Sequence, residues 1–98
     1  MQAPPTSVAD AIRQRLTAAL APSELHLVDE SARHAGHAGA RPQGERHFRV
    51  SIVSAAFAGK SRVERQRMVF AALGDLMQTD IHALSITALT PDEARAPR

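Results

Sequence analysis

Apolar residues recur at helical spacing in the first part of the chain. They stand at every fourth position: Val8, Ile12, Leu16 and Leu20. This spacing places all four on one face and predicts an amphipathic helix. Thr6 or Ser7 can cap the start of the helix, and Pro22 ends it.

A second helix is predicted from Ser61, because Ser61 and Glu64 have the spacing of a capping box. We expect this helix to end near residues 78–80. Its predicted buried stripe consists of Val63, Val69, Phe70, Leu73, Leu76 and Met77.

Alternation of apolar and polar residues predicts three strands. The first contains Leu25 and Leu27 and stops near residues 29–30. The second carries Phe48, Val50 and Ile52 on its apolar face. The third covers residues 81–89, with four residues in phase on one side: His82, Leu84, Ile86 and Ala88.

The predicted order is helix, strand, strand, helix, strand. An extra turn is expected at residues 55–58, and a short last helix with Thr90 as its cap and Pro91 at its first position. The two strands separated by a helix should lie parallel, whereas the first two strands should be antiparallel. We therefore predict an α+β domain over residues 6–94, with a three-stranded mixed sheet and helices packed on one face. Residues 1–5 and 95–98 are predicted to be a disordered leader and tail.

Composition narrows the possible functions. The 98 residues contain no cysteine, which excludes disulfides and any metal site with thiolates from this chain. A net charge of +2 does not by itself indicate a nucleic-acid-binding protein, and three Phe without Trp or Tyr disfavour base stacking. No apolar run has the length of a signal peptide or membrane span, so we predict a cytoplasmic protein without a membrane partner. No arrangement of catalytic residues is recognisable, so an enzyme is not expected.

Histidines are the main candidates for metal chemistry. His34 and His37 lie three residues apart in a small, polar segment, residues 31–45, whose length favours a functional loop. They could bind a metal or be solvated loop residues. His82 is in phase with apolar residues, so its ring needs either a hydrogen-bond partner or a ligand. His26 and His47 are expected to be ordinary exposed residues.

Four basic residues gather at the start of the second helix: Lys60, Arg62, Arg65 and Arg67. Asp75 and Asp80 lie near its end, so both groups of charges oppose the helix dipole. The basic group could be a solvated face, a surface for an acidic partner protein, or a contact to a phosphate backbone.

Three segments of the chain resemble the BolA family: VDESARHAGHAG, GERHFRVSIVSAAFAGKSRVERQRMVFAAL and IHALSITALTP. The resemblance runs from Val8 to Pro91. It implies an αββααβ domain related to class II KH folds. It also implies pairing with a monothiol glutaredoxin in iron–sulfur cluster trafficking or in iron or redox sensing. In such a complex, glutaredoxin and glutathione supply thiolates to a shared 2Fe–2S cluster, and the BolA protein supplies histidine.

The same resemblance assigns roles to individual residues. His82 matches the histidine of the family's HALS motif and is the expected cluster ligand, with His34, or His37 in its place, as the second. Alone, the protein is expected to hold no cofactor and to be a monomer or weak homodimer.

Some bacterial members are described as transcriptional regulators of stress response, morphology and biofilm, so DNA binding by the basic helix is the alternative. The family's R-H-R triplet reads Arg65-Gln66-Arg67 here, and residues 58–61 do not supply the GxxG loop with which KH domains bind RNA.

Overall fold

The computed structural model describes residues 7–30, 47–79, 81 and 83–95. The predicted order of helices and strands is confirmed, including the short turn and the last helix. The elements are α1 (Val8–Leu20), β1 (Glu24–Asp29), β2 (His47–Val53), a 3₁₀ turn (Ala55–Phe57), α2 (Arg62–Leu73), α3 (Leu76–Thr79), β3 (Ala83–Leu89) and α4 (Pro91–Arg95).

The three strands form one mixed sheet in the order β1-β2-β3. β1 runs antiparallel to β2, with Leu27 opposite Val50, and β2 runs parallel to β3, with Val50 opposite Ile86. This confirms the predicted topology. Because side chains alternate along a strand, Leu27, Val50 and Ile86 all contribute to the face that packs on the helices.

The core lies between this face of the sheet and helices α1 and α2. Of the four residues on the predicted apolar face of α1, Ile12, Leu16 and Leu20 are buried in this core, and Val8 is partly buried. The buried residues of this cluster are Ile12, Leu16, Leu20, Phe48, Val50, Ile52, Phe57, Val69, Leu73, Leu76 and Ile81, and Val53 is buried outside it.

Ser54 joins the end of α1 to the end of β2. Its side chain is buried, its hydroxyl donates to the Leu20 carbonyl at 2.6 Å, and its Oγ accepts from the Ala56 N–H at 3.1 Å. At the other end of α1, Ser7 is the cap, and its Oγ accepts from the Asp10 N–H at 3.1 Å. The hydroxyl of Ser54 therefore satisfies a helix-terminal carbonyl inside the core.

The prediction of one uninterrupted second helix is wrong, because the helix is interrupted at Gly74. Gly74 has a φ of 55°, a conformation that L side chains rarely adopt, and α2 ends at the preceding residue. Nη1 of Arg15 donates to the Leu73 carbonyl and to Oδ1 of Asp75, both at 2.7 Å. The hydrogen bond from Arg15 to its carboxylate lowers the pKa of Asp75. The same guanidinium places a cation at the carboxyl end of α2, where the helix dipole favours one.

Two members of the predicted buried stripe are exposed. The exposed fractions of Val63 and Phe70 are 55% and 39%, whereas Val69 and Leu73 are fully buried. Each residue turns a helix by about 100°, so Val63 and Phe70 share a side that differs from the side of Val69 and Leu73. Only one of these sides can face the sheet.

Candidate functional site

A capping box determines where α2 begins. Oγ of Ser61 accepts from the Glu64 N–H at 3.1 Å, and Oε1 of Glu64 accepts from the Ser61 N–H at 2.8 Å. The bond from the Ser61 backbone lowers the pKa of the Glu64 carboxyl, with smaller effects from Lys60 and Arg67. The predicted capping box is thus confirmed, and it holds the basic residues of the first turns of α2 in position.

Arg65 links this turn to two other segments. Its Nε donates to the Lys60 carbonyl at 3.0 Å and its Nη1 to the Ala88 carbonyl at 3.0 Å. Nη1 and Nη2 also bind the two carboxylate oxygens of Glu93, at 2.6 and 3.1 Å. The guanidinium lies 6.0 Å from the centroid of the Phe57 ring. The side chain of Arg65 is largely buried, with an exposed fraction of 13%, and it connects α2 to β3 and α4.

Glu93 is held from both sides. Its Oε1 accepts from the Thr90 N–H at 2.9 Å, and Oγ1 of Thr90 accepts from the Glu93 N–H at 3.2 Å. This second capping box begins α4 and confirms Thr90 as its cap. The hydrogen bonds from Arg65, followed by that from the Thr90 backbone, lower the pKa of Glu93 to about 2, and the same pairing raises the pKa of Arg65.

A groove of about 440 Å³ lies between the start of α2 and the carboxyl-terminal half of β3. One wall is formed by basic and polar residues at the start of α2, and the other wall by β3. Glu93 is the carboxylate among the lining residues. The lining residues are Lys60, Arg62, Arg65, Gln66, Ile86, Thr87, Ala88, Leu89 and Glu93. Three of the four predicted binding residues therefore line one groove, and Arg67 does not.

The four cations differ in what they can offer a partner. Lys60, Arg62 and Arg67 are exposed, and within the described parts of the chain their side chains form no hydrogen bond or ion pair. Arg65 is paired with Glu93 instead. The predicted binding role of the four residues stays a prediction, but the geometry gives Arg65 a structural task as well.

The three histidines predicted as ligands, His34, His37 and His82, lie outside the described residues. Residues on either side of them are described. Asp29 lies opposite Phe48 in the sheet, and His47 lies opposite Ala83. The end of β1 and the starts of β2 and β3 therefore lie at one end of the sheet.

The other two histidines have different surroundings. His26 is exposed as predicted, with Nε2 3.7 Å from Oε1 of Glu24. His47 is half-buried, so the expectation that it is exposed is wrong, because it begins the central strand. Among the residues that the structure describes, no three His, Asp or Glu side chains are grouped as a metal site would require.

Sequence reasoning missed the partners that organise the groove. Glu93 lies in the last helix, and its bond to Arg65 joins residues 28 positions apart in the chain. The T-x-x-E spacing of Thr90 and Glu93 was the available local signal. No local signal pairs Arg15 with Asp75.

Comparison with known proteins identifies the family. The BolA-like protein family matches residues 16–93, which is most of the chain. This chain belongs to the BolA-like family. The BolA-like chain is 48% identical over 86 residues to SufE-like protein 1, chloroplastic/mitochondrial, of Arabidopsis thaliana, a match that covers 84% of this chain and 23% of that protein. It is 45% identical over 85 residues to human BolA-like protein 1, covering 87% of this chain and 59% of the relative.

The fold agrees with this assignment. The solution structure of the BolA1 protein from Mus musculus matches with a TM-score of 0.76 and 40% identity, covering 97% of this chain and 74% of that one. The predicted three-stranded mixed α+β fold is therefore confirmed. This chain spans only part of the length of the two curated relatives, 23% and 59%. In the described part of the chain, no helix is long and apolar enough to cross a membrane.

Proposed function

We propose that this BolA-like protein supplies histidine ligands to a 2Fe–2S cluster that it shares with a monothiol glutaredoxin and glutathione. The observation that carries the proposal is family membership in a chain of 98 residues without cysteine. Iron–sulfur clusters are held by thiolates, with imidazole replacing thiolate at some irons. Without cysteine, this chain can offer imidazole but no thiolate, so the thiolates come from its partners.

His82 is the proposed first ligand. It directly precedes Ala83, the first residue of β3, and follows Ile81, which is buried. Residues before and after it are therefore held by the core and by the sheet, which supports a ligand with a defined position. A rigid base for a ligand favours binding because less conformational freedom is lost.

The second ligand is proposed to come from the segment between β1 and β2. His34 is the first choice and His37 the alternative. The convergence of Asp29, Phe48 and Ala83 at one end of the sheet supports this pairing. The segment carrying both histidines is joined to β1 and β2 at the end where β3 begins.

Imidazole ligation has two consequences for the complex. A histidine ligand raises the reduction potential of a 2Fe–2S cluster relative to thiolate alone. A ligand imidazole must also be neutral, and its ordinary pKa is about 6.5, so acidification favours loss of the cluster. Both properties suit a protein that passes on a cluster or senses iron or redox state. We propose this binding role, not catalysis, and a cytoplasmic location for it.

The test is co-expression of this chain with a monothiol glutaredoxin in the presence of glutathione, followed by purification of the complex and visible absorption and circular dichroism spectroscopy. We expect a coloured complex whose spectrum changes in His82→Ala. His26→Ala is the matched control, because His26 is exposed on the sheet and away from its His47 end. A spectrum that is identical in the wild-type, His82→Ala and His26→Ala complexes would exclude His82 as a ligand.

Separate variants decide the second ligand. If His34 is the ligand, His34→Ala changes the spectrum or speeds cluster loss below pH 6.5, and His37→Ala does neither. The reverse result assigns His37. Failure of all three variants to alter a stable coloured complex would contradict the proposed division of ligands.

A further inference from the structure

β3 is an edge strand, and hydrogen bonding shows which of its backbone groups face outwards. The Ser54 N–H donates to the Leu89 carbonyl at 2.9 Å, so the backbone groups of Leu89 face β2. Successive residues of a strand direct these groups to opposite sides. The N–H and C=O of Leu84, Ile86 and Ala88 therefore point away from the sheet.

Only the end of this outer edge is occupied in the described structure. Arg65 donates to the Ala88 carbonyl. Among the residues that the structure describes, none forms a hydrogen bond to the outward groups of Leu84 and Ile86. Unpaired groups on an edge strand are a template for a further strand.

The groove lies beside the carboxyl-terminal part of this edge, from Ile86 to Leu89. Its strand wall includes the apolar residues Ile86 and Leu89, and its other wall carries the exposed cations Lys60 and Arg62. Glu93 is the only carboxylate among the residues that line the described groove, and it is already paired with Arg65. Lys60 and Arg62 consequently have no carboxylate partner there.

We propose that the outer edge of β3 binds an extended acidic segment of a partner protein by strand addition. Backbone groups of the segment pair with Leu84 and Ile86, and its Asp or Glu side chains face Lys60 and Arg62. From Leu84 to Ala88 the edge is about 13 Å long at about 3.3 Å per residue, enough for a segment of about five residues. This mode is β-augmentation, in which main-chain bonds supply affinity and side chains supply specificity.

The chemistry of the groove favours a peptide over a nucleic acid. Its strand wall is mostly aliphatic, and no lining residue is aromatic and able to stack on a base. Outward backbone N–H and C=O groups in alternation match another strand, whereas phosphate oxygens could use only the donors. The inference goes beyond cluster ligation and does not depend on it.

The free edge can be tested first by amide hydrogen exchange of the protein alone. We expect the amides of Leu84 and Ile86 to exchange at least about tenfold faster than those of Ser85 and Thr87, which face β2. Equal protection at all four positions would mean that the edge is already covered, and would overturn the proposal.

Binding is tested with a synthetic eight-residue peptide of alternating Glu and Val, acetylated and amidated at its ends, titrated into ¹⁵N-labelled protein. We expect the largest shifts and slowed exchange at Leu84 and Ile86. The matched probe has the same sequence with alternate backbone nitrogens methylated, so that its charge is kept but its strand-pairing donors are lost. Equal binding of the two peptides, or no binding of the first, would overturn strand addition.

Charge reversal tests the cationic wall. Lys60→Glu combined with Arg62→Glu should weaken binding of the Glu-Val peptide at least about tenfold. Arg67→Glu is the control, because Arg67 is exposed on the same helix but does not line the groove. Equal weakening by both changes would overturn the assignment of the groove. A 12-base-pair DNA duplex that shifts the same β3 amides, while the peptide does not, would replace it with nucleic-acid binding.

Discussion

Arg65 binds Glu93 through both of its terminal guanidinium nitrogens, at 2.6 and 3.1 Å. The two residues lie on α2 and α4, and the same arginine also donates to the Ala88 carbonyl on β3. One side chain thereby joins the first turns of α2 to the last strand and the last helix. The pair also defines one end of the groove.

Replacing Arg65 with Lys tests the contribution of this pairing. Lysine keeps the charge but cannot form the two parallel bonds to Glu93. We expect Arg65→Lys to lower the free energy of unfolding by about 1–3 kcal/mol, measured by urea denaturation. Arg67→Lys, on the exposed side of the same helix, should have little effect. Equal effects of the two changes would argue against a structural role for Arg65.

Acid should remove the stabilising interaction between Glu93 and Arg65 over a defined range of pH. The pKa of Glu93 is lowered from 4.5 to about 2, so the carboxylate is favoured in the folded protein. Its contribution is therefore complete above about pH 4.5 and is lost as the pH falls towards 2. The difference in unfolding free energy between wild type and Glu93→Gln should be present at pH 7 and be lost as the pH falls through about 2. A difference that is constant over this range would contradict the pairing.

Ser54 is expected to be more important for stability than its size suggests. Ser54→Ala removes the donor to the Leu20 carbonyl and the acceptor for the Ala56 N–H, both in or near the core. Leaving a buried polar group without a partner costs about 1–3 kcal/mol, measurable by chemical denaturation. Ser85→Ala, on an exposed position of β3, is the control and should change stability by less than about 0.5 kcal/mol.

The two sides of α2 should respond differently to truncation. Leu73→Ala removes a fully buried side chain and should cost about 2–5 kcal/mol. Val63→Ala alters an exposed position and replaces a β-branched residue with a better helix former, so its effect should lie within about 0.5 kcal/mol. Comparable losses of unfolding free energy in the two variants would contradict the exposure of Val63.

Local interactions explain why most elements could be predicted. The capping boxes at Ser61 and Thr90 join residues three positions apart, and the alternation around Val50 reflects a neighbouring helix layer. The break at Gly74 was missed, because a helical apolar pattern continues across it to Leu76. Gly74 ends α2 through its positive φ, and Arg15 on α1 binds the Leu73 carbonyl at this point.

In the candidate site, too, some features follow from the sequence and others from the tertiary structure. The absence of cysteine and the family motif around His82 are properties of the sequence, and the proposed histidine ligation rests on them. The tertiary structure decided that Arg65 is paired with Glu93 while Lys60 and Arg62 line an open groove. Sequence determines which side chains and short-range hydrogen bonds are available. Which distant residues meet, and which strand edge stays open, depends on how the helices pack on the sheet, since that packing brings together residues that no local pattern connects.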